Sequence, residues 1–130
     1  MKKINSAEDI QSVANSFRES RILLTAVELD VFTVIGEERL SSKEIALKIS
    51  ADEKASDRLL NALAAMGLVN KANDKFSNTT TSAKFLIEGE KDYISNLSHA
   101  ARLWESWHDL TKVIRSGEKS LTLVFSCRSA

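Results

Sequence analysis

Two histidines, two tryptophans and one cysteine are the side chains of this 130-residue chain best suited to chemistry. Their spacing restricts what they can do. His99 and His108 stand nine residues apart in a stretch that reads as one helix. At about 100° per residue that separation puts them on opposite sides, so they could not share a metal, which needs several convergent ligands. Cys127 is alone and can form neither an internal disulfide nor a cluster. There is no glycine-rich phosphate loop and no Gly-x-Ser-x-Gly elbow. Trp104, Trp107 and His108 are therefore the candidates for a binding site. The two tryptophans are three residues apart and project to one side of a helix. Large aromatics so placed build a core or an interface, or they wall a pocket for an aromatic ligand. Both uses are compatible at a domain seam. His108, next to Trp107, could meet a planar polar substrate. Its plainer reading is a helix histidine at a packing edge.

The elements that must position these residues centre on Leu40 to Phe76. Ser41 and Glu44 have capping-box spacing, and Ile45, Ala46 and Ile49 mark one face of a short helix. A second start signal lies at Ser50–Glu53, followed by Leu59, Leu60, Leu63 and Met66 at helical spacing. Gly67 stands where a left-handed residue would end that helix. Leu68 and Val69, then Lys75 and Phe76, flank the turn-rich stretch Asn70–Asp74. Helix, turn, helix and hairpin in that order predict a winged helix-turn-helix.

Elsewhere the chain is expected to be helical, in keeping with no proline and only four glycines. Asn5 and Ser6 can cap a first helix with Ile10, Val13, Ala14 and Phe17 along one stripe. A second helix is expected over residues 20–35, and it is apolar around most of its circumference. A short helix over Ala83–Glu88 follows the wing. A long one is expected from Tyr93 to about Ser116, again with a stripe broader than one face. Helices apolar on most sides must be covered on most sides, which points to a partner chain. The fold class is thus mainly α: a winged helix with a small hairpin, flanking N-terminal helices and a long C-terminal helix. Residues 1–118 form the domain, and residues 119–130 depart from its pattern.

Composition narrows the function. Apolar residues at 43% and charged residues at 28% describe a chain with a core rather than a disordered one. Eighteen basic and eighteen acidic residues cancel, so no overall field draws it to nucleic acid or an anionic membrane. No apolar run reaches the roughly 20 residues of a membrane span. No hydrophobic segment follows Met1-Lys2-Lys3-Ile4, and with one cysteine a cytoplasmic location is expected. A winged helix also raises DNA binding. From Ser41 to Phe76 there are six basic and five acidic side chains, one positive charge net. Asp52, Glu53 and Asp57 fall in the first turns of the second helix, the end that would enter a groove, where they would repel phosphate. Nucleic acid is therefore a poor fit.

The ordered motifs resemble the N-terminal dimerisation domain of the S-adenosylmethionine-dependent small-molecule O-methyltransferases, the hydroxyindole, caffeic acid and bacterial polyketide type. The motifs are Ala26-Val27-Glu28-Leu29-Asp30-Val31-Phe32, Leu40-Ser41 with Glu44-Ile45-Ala46, and Arg58-Leu59-Leu60 through Leu63 to Gly67-Leu68-Val69. Phe76-Ser77-Asn78-Thr79 and Leu103-Trp104-Glu105-Ser106-Trp107-His108-Asp109-Leu110 complete the series, which spans roughly Phe17 to Glu118.

The resemblance implies a homodimer whose helices line the acceptor pocket, with Trp104, Trp107 and His108 as pocket candidates. Phe17, Ile22, Leu23, Ala26, Leu29, Phe32, Leu97, Leu103 and Leu110 are the candidates for the dimer interface. The family's cofactor domain and its histidine base are missing from the pattern. No catalytic, cofactor-binding or metal-binding residue is therefore expected here, and S-adenosylmethionine is implied only for full-length members. The chain is expected to be a fragment or a truncated gene product with no methyl transfer of its own. It could pair with itself or with a catalytic methyltransferase domain. The alternative is a winged-helix DNA-binding transcription regulator.

Overall fold

A computed structural model describes residues 1–118. The chain divides into two compact units, the first Met1–Ile94 and the second beginning at Ser95. In the first unit the order is α1 (Ala7–Asn15), α2 (Phe17–Glu28), α3 (Val31–Ile35), β1 (Leu40–Ser41), α4 (Ser42–Lys48) and α5 (Glu53–Ala65). It continues through β2 (Val69–Ala72), β3 (Lys75–Asn78) and α6 (Thr80–Phe85). The second unit holds α7 (Leu97–His108) and α8 (Leu110–Ser116).

The winged unit forms for the reasons its residues announce. The Ser41 hydroxyl accepts from the Glu44 amide at 3.2 Å and the Glu44 carboxylate accepts from the Ser41 amide at 3.2 Å, closing a capping box on α4. Asp52 caps α5 by accepting from the Ala55 amide at 2.9 Å. Gly67 follows α5 at φ +79°, a left-handed conformation that costs a side-chain-bearing residue energy. The wing is tighter than the polar stretch suggested. Asn73 and Asp74, at φ 52° and 58°, make the two-residue turn, and Ala72 pairs with Lys75. The sheet has a third, two-residue strand that the sequence did not reveal: β1 pairs antiparallel with β3, giving the order β1-β3-β2.

Two expected helices are divided. Residues 20–35 do not form one rod. α2 begins earlier, at Phe17, and ends at Glu28, and Asp30 adopts φ 56° before α3 starts. Aspartate tolerates this left-handed state better than most residues. The turn reorients the chain so that Val31, Phe32 and Ile35 are all fully buried within the first unit. Much of the apolar excess of this stretch is thus covered from inside. The long helix is likewise absent as one piece. Tyr93 and Ile94 lie in a loop, where their backbone amides donate hydrogen bonds to Glu90 O at 3.2 Å and Phe85 O at 2.9 Å. Asp109, a poor helix former, sits at ψ 4° between α7 and α8. The short helix after the wing starts at Thr80 rather than Ala83, because the Thr79 hydroxyl caps it by accepting from the Ser82 amide.

Phe32, Phe76, Ile35, Ile45, Leu60, Leu63 and Val31 are the largest fully buried apolar side chains of the first unit. Asn78 locks this core from β3: its amide group donates to Phe32 O and Gly36 O, both at 2.9 Å, closing the end of α3. The expected tail, 119–130, lies outside the described residues.

Candidate functional site

The first unit presents an uncovered apolar stripe at its N-terminus. Ile10, Val13 and Phe17 recur at i, i+3 and i+7 and remain 60%, 57% and 53% exposed. α1 contains no buried residue at all. Single exposed apolar residues are ordinary, but a row along a helix is the form of a contact surface. Leu29 is exposed, and Ile22 and Leu23 are half-buried. Two interface candidates need correction. Ala26 on α2 and Phe32, which follows the turn at Asp30, are buried at 0% and 1% exposure inside the chain's own first unit and have no surface to offer a partner.

The second unit carries its own stripe. Trp107, Leu110 and Ile114, again at i, i+3 and i+7, are 68%, 46% and 76% exposed. Trp104, Leu97 and Leu103 are half-buried, while Ala101 and Ser106 are buried. His108 is exposed beside Trp107, and His99 is half-buried. Of the three pocket candidates, Trp107 therefore offers the largest free apolar face. The sequence put Ile10 and Val13 on the first helix's stripe and Ile114 on the long helix's, but only Leu110 of these was assigned to the interface. The missing signal was an element to cover each stripe.

The face that would read DNA in a winged helix is occupied from within. The Ser42 hydroxyl donates to Asp57 Oδ1 at 2.5 Å, Asn61 Nδ2 donates to Asp57 Oδ2 at 3.1 Å, and Lys71 Nζ from the wing donates to Asn61 Oδ1 at 2.8 Å. Asp57 and Asn61 of α5 are thus spent on joining α4, α5 and β2. The adjoining cleft of about 290 Å³ is lined by Ser42, Glu53, Lys54, Asp57 and Arg58, acids and bases in equal number. Its carboxylates would oppose a phosphate backbone. Hydrogen bonds from Ser41 hold the Glu44 carboxyl below its ordinary pKa of 4.5, with smaller contributions from Lys75 and Lys48. Among the described residues no group of three His, Cys, Asp or Glu side chains converges to hold a metal, and no helix is long and apolar enough to cross a membrane.

The chain that carries this winged unit matches a known family model. Residues 11–88 fit the O-methyltransferase dimerisation domain. The chain belongs to that family. The tetracenomycin polyketide synthesis 8-O-methyl transferase TcmO of Streptomyces glaucescens is 29% identical over 116 residues, covering 87% of this chain and 34% of that protein. A probable bifunctional dTTP/UTP pyrophosphatase/methyltransferase protein of Homo sapiens is 36% identical over 104 residues, 78% of this chain and 17% of the relative. The solved structure of an O-methyltransferase family protein from Burkholderia thailandensis superposes with a TM-score of 0.77 at 30% identity, covering 89% of this chain and 35% of that one. The chain thus spans about a third or less of the length of these relatives.

Proposed function

We propose that this domain self-associates as a homodimer and caps the acceptor pocket of an S-adenosylmethionine-dependent small-molecule O-methyltransferase, without transferring methyl groups by itself. The observation that carries the reading is the pair of uncovered stripes, Ile10–Val13–Phe17 and Trp107–Leu110–Ile114, on a chain of a dimerisation family. Apolar surface arranged in rows is stabilised by leaving water, and a second copy is the partner that the family name implies.

Trp104, Trp107 and His108 are the proposed pocket-lining residues, with the indole faces stacking on a planar acceptor and the imidazole meeting its polar edge. S-adenosylmethionine is proposed to sit outside the described residues. The two passages from strand to helix here, at Ser41–Ser42 and Asn78–Thr80, contain no glycine to let a backbone close on that cofactor. Catalysis then belongs to a catalytic methyltransferase domain, and a cytoplasmic setting accords with the single cysteine.

Sedimentation equilibrium across a wide concentration range tests the reading. A concentration-dependent dimer is expected. A monomer that stays monomeric at high concentration refutes it.

A further inference from the structure

α1 is a helix that its own chain gives little reason to form. It has nine residues and none is buried. Isolated helices shorter than about 12 to 15 residues are marginal in water, and helices in proteins owe most of their stability to packing one face. Its sequence, AEDIQSVAN, includes serine, valine and asparagine, none of them strong helix formers.

Support from α2 is interrupted. At the junction Val13 O accepts from the Ser16 amide at 3.3 Å and from the Ser16 hydroxyl at 2.8 Å. A hydroxyl that takes the carbonyl in this way competes with the regular helical ladder. What α1 does possess is an N-cap, with Ser6 Oγ accepting from the Asp9 amide at 3.1 Å. Its Ile10 and Val13 also run on into Phe17, the first residue of α2, as a stripe left more than half exposed. A cap sets where a helix starts, and only coverage of the stripe would hold it.

We infer that α1 is an arm that becomes stably helical when a second copy of this chain covers the Ile10–Val13–Phe17 stripe, so that folding of the arm and dimerisation are one event. The inference rests on the self-association proposed above and adds the element that carries it. The occupant is a second copy because Val13 and Phe17 fall inside the segment, 11–88, that matches the dimerisation domain. The width of the row, i, i+3 and i+7, is that of a seam between two helices. The energy of association is then partly spent on ordering the arm, which makes dimerisation weaker than the buried area alone would suggest.

Hydrogen exchange of the whole chain, read at concentrations below and above the dimer midpoint set by sedimentation, tests this. Amides of residues 10–16 are expected to exchange as an unstructured chain does in the monomer and to slow at least about tenfold in the dimer. Amides of α5 are expected to be protected in both. Equal protection of α1 in monomer and dimer overturns the inference, as does an unprotected α1 in a proven dimer; a chain that never dimerises removes the self-association reading as well. Should the dimer persist at every accessible concentration, Val13→Asp supplies the monomer without touching the core, since α1 buries nothing. It is expected to weaken association about tenfold or more while leaving the thermal midpoint of the first unit in place. Unchanged association of Val13→Asp also overturns it.

Discussion

Trp107→Ala separates an interface residue from a core residue within one substitution. A tryptophan side chain presents about 250 Å² and Trp107 keeps 68% of its surface in water. About 170 Å² is therefore free to be covered by a partner. At about 25 cal/mol per Å² this corresponds to a ceiling of about 4 kcal/mol for complete coverage. Ordering of the partner surfaces and incomplete coverage reduce that figure, and a loss of about 2 kcal/mol is expected, close to thirtyfold in the dissociation constant. The same exposure fixes the effect on folding. With most of the ring already in water, truncation should alter the stability of the isolated chain by no more than about 0.5 kcal/mol. The assays are sedimentation equilibrium for association and urea unfolding, at low protein concentration, for stability. In a full-length relative the equivalent substitution should raise the acceptor KM. A destabilisation above about 2 kcal/mol with unchanged association would show the ring to be core and refute the reasoning. No change in either quantity would show that this stripe is covered by nothing.

Three other outcomes follow from the geometry. Phe32→Ala should destabilise the chain by about 3 to 5 kcal/mol in urea unfolding, because the ring is 1% exposed and its loss leaves a cavity rather than a bare surface. Asn78→Ala should cost about 1 to 2 kcal/mol by the same method, since it removes the side-chain donor from Gly36 O, while Phe32 O keeps the Gly36 amide at 3.0 Å. The Glu44 carboxyl is held below 4.5 in the folded chain, so its contribution is complete above that value and is lost as pH falls through the lower folded value. Acid unfolding of Glu44→Ala should accordingly begin from a less stable state and show a shallower loss on acidification than the unaltered chain; parallel curves would contradict the capping box.

Most of the winged unit was legible in the sequence because its signals are local. A serine three residues before a glutamate, a glycine after a run of leucines and a polar stretch between apolar pairs act over one or two turns of chain. The capping box, the left-handed Gly67 and the hairpin are found where those residues put them. β1 was not legible: two residues, Leu40 and Ser41, become a strand only through pairing with Phe76 and Lys75, more than thirty positions away. The two long helices were misread for a related reason. Periodicity records which residues are apolar but not where one backbone dihedral departs, and Asp30 at φ 56° and Asp109 at ψ 4° carry no strong breaker signature.

That difference bears on the site. Trp104, Trp107 and His108 could be named from residue type and spacing, and the apolar excess of their helix could be counted. Sequence alone determined which helical stretches are apolar on more than one side, that acids open the second helix of the winged unit, and which family the motifs resemble. Only the tertiary structure decided which apolar residues stay outside. Packing inside the first unit takes Ala26 and Phe32 out of the candidate interface, and among the described residues Ile10, Val13, Phe17, Trp107 and Ile114 face water. Burial is a property of what the rest of the chain places opposite a side chain, and that is set by long-range packing rather than by the residue or its neighbours.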